Sequence, residues 1–361
     1  MTAVTADRRS STAARKGRVT WMDGLRGVAI VLLVLAHSIA YLRMSTPVPE
    51  WLSATSRAAQ PFRVPLLMFL SGTLLQVSLS KPLVTYYYGK FRHVVWPYLL
   101  WHAADLHFNF GYRLTELRVW YGWTYLWFLF TIGVFYAVAP LFRRLPRVTP
   151  VIVGLALCVL LLVRPDLDSS FLRLDRLTYY SIFFFGGYAL STWFAGHVER
   201  IARRRIAVVV AVAVLAAVGT VAAYLDVREQ LWSIPIAGAG VLALAVIACR
   251  FADTGPCARI FEFVGRHSLV FYVMHVPLIL LVIAALQRVG RQEPVSLALP
   301  VVVAACLAVA SALSALQHRF PVAWLFAAPD VRVLGRRSRR SRPAASVIQP
   351  GRPRDTTPQR R

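Results

Sequence analysis

Arg26 and His37 stand eleven residues apart in the stretch Trp21-Met22-Asp23-Gly24-Leu25-Arg26-Gly27, which runs through nine apolar residues, Val28 to Ala36, to His37-Ser38. A guanidinium binds anions through a planar fork of donors. An imidazole takes up and releases protons near neutral pH. At 3.6 residues per turn, eleven steps make three turns and about 20°, so the two side chains share one helix face. At about 1.5 Å per residue they lie roughly 16 Å apart along the axis. A bilayer core is about 30 Å thick. An arginine at one membrane surface then has an imidazole below it, near mid-membrane, where an ionisable side chain is costly and is a functional candidate by default.

The elements that must position this pair are membrane spans. The chain has 361 residues, of which 57% are hydrophobic, and a mean hydropathy of +0.56. Soluble domains sit near 45–50% apolar. The excess is packed into long runs, which predicts an all-α, polytopic membrane protein. Ten spans are expected: 28–43, 62–79, 94–108, 123–141, 149–163, 178–195, 206–224, 231–249, 268–286 and 296–318. With the N-terminus in the cytoplasm, 30 of the 41 Lys and Arg residues fall on the cytoplasmic side and 11, Arg63 among them, in external loops. The positive-inside rule therefore favours an even number of spans with both termini cytoplasmic. Nine of the sixteen acidic residues fall outside. Span 206–224 carries no charged residue and reads as lipid-facing scaffold. Polar residues gather instead in spans one to four and nine.

The net charge of +25 does not indicate nucleic acid, because the basic residues lie in the tails and in alternate short loops. The tails, 1–19 and 329–361, are rich in Arg, Ser, Pro and Thr and read as disordered, either lying on anionic lipid or acting only as topology determinants. The membrane domain is expected over 20–328. The N-terminal lead is too long and polar for a signal peptide. Cys158, Cys249, Cys257 and Cys306 fit no zinc or haem spacing and read as small core residues. His102, Asp105 and His107 cluster near the end of span three, but histidines five apart suit one helix face poorly, so no metal is expected. No soluble catalytic domain and no internal repeat is evident. The Arg- and Ala-rich composition is compatible with a high-GC bacterium.

Several segments carry a resemblance. Asp23-Gly24-Leu25-Arg26-Gly27 leading into Leu35-Ala36-His37-Ser38 resembles the opening signature of the acyltransferase 3 family, polytopic membrane proteins that transfer acyl groups, often acetyl, to hydroxyls of glycans, lipids or natural products. Further segments agree in order and spacing. Val64-Pro65-Leu66-Leu67-Met68-Phe69-Leu70-Ser71-Gly72 is similar to the family's second-span run ending in Ser-Gly. Lys90-Phe91-Arg92-His93-Val94-Val95-Trp96-Pro97-Tyr98 is similar to its basic approach to the third span, with Arg five residues before Pro. Leu126-Trp127-Phe128-Leu129 in span four and Ser268-Leu269-Val270-Phe271-Tyr272-Val273-Met274-His275-Val276-Pro277 in span nine also match. The resemblance covers about 20 to 320. The chain departs from it at Tyr125, where members often carry histidine, and at Ile132, where many carry glutamate. It shows no appended esterase-like domain.

The resemblance implies an integral-membrane O-acyltransferase that uses a cytoplasmic acyl-CoA, by family weight acetyl-CoA, as donor and needs no metal. It would sit as a multi-pass protein in a bacterial inner or plasma membrane. His37 is then a general base for the acceptor hydroxyl, or else a hydrogen-bonded histidine joining two spans. Arg26 binds donor phosphates or only sets topology. Asp23 orients Arg26 or caps the helix. Lys90 and Arg92 form a second phosphate clamp or lie at the interface. Pro97 breaks the third span, freeing backbone groups to line a cavity. Ser71-Gly72 lets two spans approach closely. His275 positions substrate or satisfies the backbone broken by Pro277. Ser71, Tyr98, Trp127 and His275 are the expected substrate-side residues. The competing reading of the same buried polar groups is a pathway in a transporter or flippase of a polar lipid or glycan precursor, and a more remote one is a membrane scaffold or sensor. Matching broken helices in two halves, a mark of many transporters, are not seen.

Overall fold

In the computed structural model the described residues are 19–110, 115–116, 120, 124–168, 173–225, 227, 229–252, 255–288 and 294–330. All regular structure among them is helical. By packing, the chain divides into Met1–Ala328 and Pro329–Arg361, and every helix among the described residues belongs to the first unit. The tails expected to be disordered lie outside the described residues, except for Val19, Pro329 and Asp330.

α1 (Thr20–Leu42) is continuous over 23 residues, about 34 Å at 1.5 Å per residue, enough to cross a bilayer core. A broken helical segment follows: α2 (Glu50–Ala58), α3 (Gln60–Thr73) and the short α4 (Leu75–Leu79). α5 (Leu83–Lys90) runs through a π-helical turn, Phe91–Val95, into α6 (Trp96–Asp105). Then come α7 (Trp127–Val138), α8 (Thr149–Val163), α9 (Leu174–Leu190), α10 (Phe194–Ala202), α11 (Arg205–Tyr224), α12 (Ile234–Phe251), α13 (Gly255–Arg266), α14 (Ser268–Arg288), α15 (Val295–Leu316) and α16 (Val322–Phe326).

Six segments are long and apolar enough to cross a membrane: Thr20–Leu42, Glu50–Leu79, Arg205–Tyr224, Leu231–Phe251, Ser268–Arg288 and Val295–Leu316. The four other predicted spans hold shorter helices, α6, α7, α8 and α9. α8 and α11 leave rows of Ile, Leu and Val exposed, as expected of helices whose neighbour is lipid. The break expected at Pro97 falls one residue earlier than the proline. The π turn ends at Val95, and Pro97 occupies the first turn of α6, where a missing N–H leaves no helical bond unmade.

Two glycine crossings bring the central helices close. A Cβ on Gly72 of α3 would lie 1.7 Å from the Phe184 carbonyl oxygen of α9, and one on Gly187 of α9 would lie 2.0 Å from that of Phe69. α1 and α13 repeat the device: a Cβ on Gly27 would meet Phe261 O at 1.9 Å, and one on Gly265 would meet Asp23 O at 1.7 Å. In lipid, close packing of small residues is a main source of helix association. The expected role of Ser71-Gly72 in packing is thus carried by Gly72. The second crossing fixes the end of α1 that bears Arg26. All four cysteines are unbridged. Cys306 is buried and Cys158 and Cys249 are half-buried. Cys257 departs from the core reading: it is exposed, in the first turn of α13.

Candidate functional site

The functional side chains fall into two groups along α1. The first surrounds Arg26, whose guanidinium is only 16% exposed. Its Nη1 lies 3.4 Å from Asp23 Oδ1, and its Nη2 donates to the Leu70 carbonyl of α3 at 3.3 Å. Of the two roles expected of Asp23, the contact with Arg26 is seen. A cavity of about 460 Å³ opens beside Arg26. Lys81, Lys90 and His93 line it together with Ser71, Ser78, Tyr136 and Tyr272. No carboxylate lines it. A concave site with Arg26, Lys81 and Lys90 on its walls attracts anions even though Asp23 pairs with Arg26.

Lys90 reaches into this cavity from the last turn of α5. Its Nζ donates to Ser78 Oγ at 3.2 Å and sits 3.5 Å from the centroid of the Tyr136 ring. Burial first, then the neighbouring Lys81 charge, pushes its ammonium down to about 8. Tyr136 is held in turn by Tyr86, whose hydroxyl donates to the Tyr136 carbonyl at 2.7 Å. Arg92, two residues on, takes another course. Its Nε donates to the Ala328 carbonyl at 2.8 Å, while Ala328 N–H donates back to the Arg92 carbonyl at 3.1 Å. Arg92 does not line the cavity. Ile132, at the position of the family's glutamate, does line it, which accounts for part of its carboxylate-free wall.

The second group lies deeper. His37 packs edge-to-face on His275 of α14, with ring centroids 4.9 Å apart. His37 Nδ1 faces the Leu33 carbonyl at 3.0 Å, and His275 Nδ1 faces the Tyr272 carbonyl. A carbonyl only accepts, so each Nδ1 carries the proton and each neutral ring presents its Nε2 lone pair. The Nε2 of His275 is buried without a hydrogen-bond partner. Pro277 removes the helical partner of the carbonyl four residues back, Val273. That carbonyl instead accepts the Tyr125 hydroxyl at 2.8 Å, and the Tyr272 hydroxyl donates to the Tyr125 carbonyl at 2.8 Å. The broken backbone is therefore satisfied by Tyr125 and not by His275. The departure from the family's histidine at 125 has a structural use here.

Other expected residues are placed elsewhere. Tyr98 stacks on His102 at 4.8 Å and donates its hydroxyl to the Trp120 carbonyl. Trp127 packs against Tyr180 at 5.3 Å with the Arg176 guanidinium 5.0 Å from its ring. Neither lines the cavity. His102 is fully buried with Nδ1 3.1 Å from Thr124 Oγ1. Among the described residues no three His, Cys, Asp or Glu side chains gather as metal ligands.

Sequence reasoning missed Lys81 and Arg63. Lys81 belongs to the turn before α5, and only the fold brings it over the cavity. Arg63, counted among external-loop arginines, lies inside α3. Its Nε and Nη1 are buried without a hydrogen-bond partner, and its charge reaches both His37 and His275. The available signal was an arginine two residues before Pro65 in an otherwise apolar run.

No curated protein and no solved structure matches the chain. A family model for the acyltransferase 3 domain matches residues 19–316, a span that contains both groups of side chains. The chain belongs to the acyltransferase 3 family and is an acyltransferase.

Proposed function

We propose that the protein is an integral-membrane O-acyltransferase with ten spans and both termini in the cytoplasm of a bacterial cell. It moves an acyl group of acetyl size from acyl-CoA to a hydroxyl of a glycan, glycolipid or natural product. The observation that carries this reading is the pairing, on one helix, of a carboxylate-free basic cavity at Arg26 with an imidazole pair about three turns away.

Donor phosphates sit against Arg26, Lys90 and Lys81, where charge-assisted bonds are shorter and stronger than neutral ones. The narrow pantetheine arm runs along α1 towards His37, a distance that matches the roughly 16 Å rise of eleven helical residues. Phe128 and Tyr272, whose rings pack at 5.3 Å, also line the cavity, and the arm passes beside them. His37 takes the acceptor hydroxyl's proton on Nε2 as the oxygen attacks the thioester carbon. It then returns that proton to the departing thiolate. His275 sets the far wall of the site and holds the acceptor.

The test compares envelope glycans, lipids and secreted metabolites from cells with the wild-type gene, a deletion, and His37→Ala. A species heavier by one acetyl group in wild type, and absent from both others while the variant protein is inserted, is expected. A compound that changes location but not mass on deletion would overturn the enzyme reading of this site.

A further inference from the structure

We propose that Arg63 binds the oxyanion formed in acyl transfer, which rests on the reading of His37 above. An arginine inside a membrane segment is costly and is ordinarily paired or functional. Arg63 has no ion-pair partner among the described residues, and its Nε and Nη1 are buried and unbonded. The Tyr180 hydroxyl, which interacts with the Arg63 charge, is itself engaged: it donates to Glu229 at 3.0 Å, and Glu229 also faces Arg176 Nε at 3.6 Å. Burying an arginine without its bonds is expensive in the resting protein. That expense is recovered only by a negative charge that comes and goes.

The helix directions bring Arg63 to within about one turn of the depth of His37, a gap that an arginine side chain spans. α1 and α3 pack together, and Arg26 at the start of α1 bonds to Leu70 towards the end of α3. The two helices therefore run in opposite senses. Moving from Leu70 back to Arg63 climbs two turns of α3 while α1 climbs from Arg26 towards His37. The Arg63 charge accordingly falls on His37 and His275 rather than on the Arg26 cavity.

The step balances as follows. The acceptor oxygen forms a bond to the thioester carbon and its proton passes to His37 Nε2. The carbonyl π pair moves onto oxygen, and the resulting oxyanion is held by the Arg63 guanidinium. Collapse restores the C=O bond and breaks the C–S bond, and the thiolate takes the proton from His37. A donor fork matched to charge that exists only in the transition state raises turnover without tightening ground-state binding.

The experiment uses the purified full-length protein, acetyl-CoA, and an extract of host envelope glycans and lipids as acceptor, with release of CoA thiol as the readout. Arg63→Met is expected to lower kcat by about 10²- to 10³-fold, with KM for acetyl-CoA unchanged and Arg63→Lys intermediate. A kcat within threefold of wild type in an inserted Arg63→Met protein overturns the assignment. So does an intact kcat with a raised half-saturating amount of extract, which would make Arg63 an acceptor-binding residue. If Arg63→Met does not insert, Arg63→Lys decides: a lowered kcat at unchanged KM supports the role, and a wild-type kcat overturns it. His37→Ala run alongside separates the two readings. An active His37→Ala protein removes the base, whereas an inactive one beside an unslowed Arg63 variant removes only the oxyanion role.

Discussion

The two ends of the catalytic helix hold polar groups under opposite conditions. Around Arg26 the cations are bonded and partly exposed: Arg26 to Asp23 and Leu70, Lys90 to Ser78 and the Tyr136 face, all on the wall of an open cavity. Around His37 the groups are packed tightly, and Arg63 Nε and Nη1, His275 Nε2 and Ser38 Oγ are buried without hydrogen-bond partners. The first arrangement suits a ligand whose charge is permanent and which must arrive from water. The second suits a charge that exists only briefly, because fixed dipoles in a dry site act most strongly on it. One helix thus separates binding from chemistry by three turns.

The comparison predicts that variants at the two ends damage different kinetic constants. The largest effect is expected at His37. Loss of a general base costs about 10²- to 10⁴-fold, so His37→Ala should lower kcat by that factor and leave KM for acetyl-CoA nearly unchanged. An equal rise in KM would mean that the imidazole contributes to donor binding and would blur the division. Arg26→Gln comes next and should do the reverse. A hydrogen bond to a charged group is worth about 1.5–3 kcal/mol, which corresponds to roughly a 10- to 150-fold rise in KM for acetyl-CoA at little change in kcat. Steady-state kinetics on the same membrane preparation check both variants.

A third effect, of about tenfold or less, is pH dependence at the binding end. Lys90 carries its charge below about pH 8 and loses it above. Because the ordinary lysine value is higher, the protonated form that binds phosphate is depleted across the window from about 8 upward. KM for acetyl-CoA should therefore climb from pH 8 to 9.5 in the wild type. Lys81→Ala removes one of the two causes of the depression and should move the climb to higher pH. A pH-independent KM would exclude Lys90 as a phosphate ligand.

The sequence placed Arg26 and His37 on one helix face, because a helix maps residue number directly onto angle and depth, although α1 begins at Thr20, eight residues before the expected span 28–43. Six of the expected spans coincide with segments long and apolar enough to cross a membrane, and the other four hold shorter helices. What the sequence did not carry was convergence. The cavity wall draws Ser78, Lys81, Lys90 and Tyr136 from α4, α5, α7 and the turn between them, and no period in one segment records how those elements fold together. Arg63 was lost for a different reason. Charge counting treats every arginine as a topology marker, and a residue at the end of an apolar run is assigned to the loop beside it. Only the antiparallel packing of α3 on α1 separates an interfacial arginine from one facing His37. Tyr125 and Pro277, 152 residues apart, likewise become one feature only when Val273 and its missing helical bond are seen.

The smallest expected effect falls on Arg92, which shares its sequence segment with Lys90 but not its environment. The segment resembles a phosphate clamp, but side chains two residues apart on a helix point to nearly opposite sides, so the two reach different surfaces. Arg92 Nε is engaged by Ala328, and the return bond from Ala328 N–H ties residue 328 to the start of the third predicted span. Trp96 and Trp101 reinforce that tie by donating to the Trp324 and Leu325 carbonyls at 2.7 and 2.8 Å. With three other bonds sharing the work, Arg92→Ala should lower the unfolding midpoint slightly, by the net worth of about one hydrogen bond, 0.5–1.5 kcal/mol. It should leave KM for acetyl-CoA within twofold of wild type. A tenfold rise in KM would place Arg92 among the donor's phosphate ligands and extend the binding region from the cavity to the α6–α16 contact.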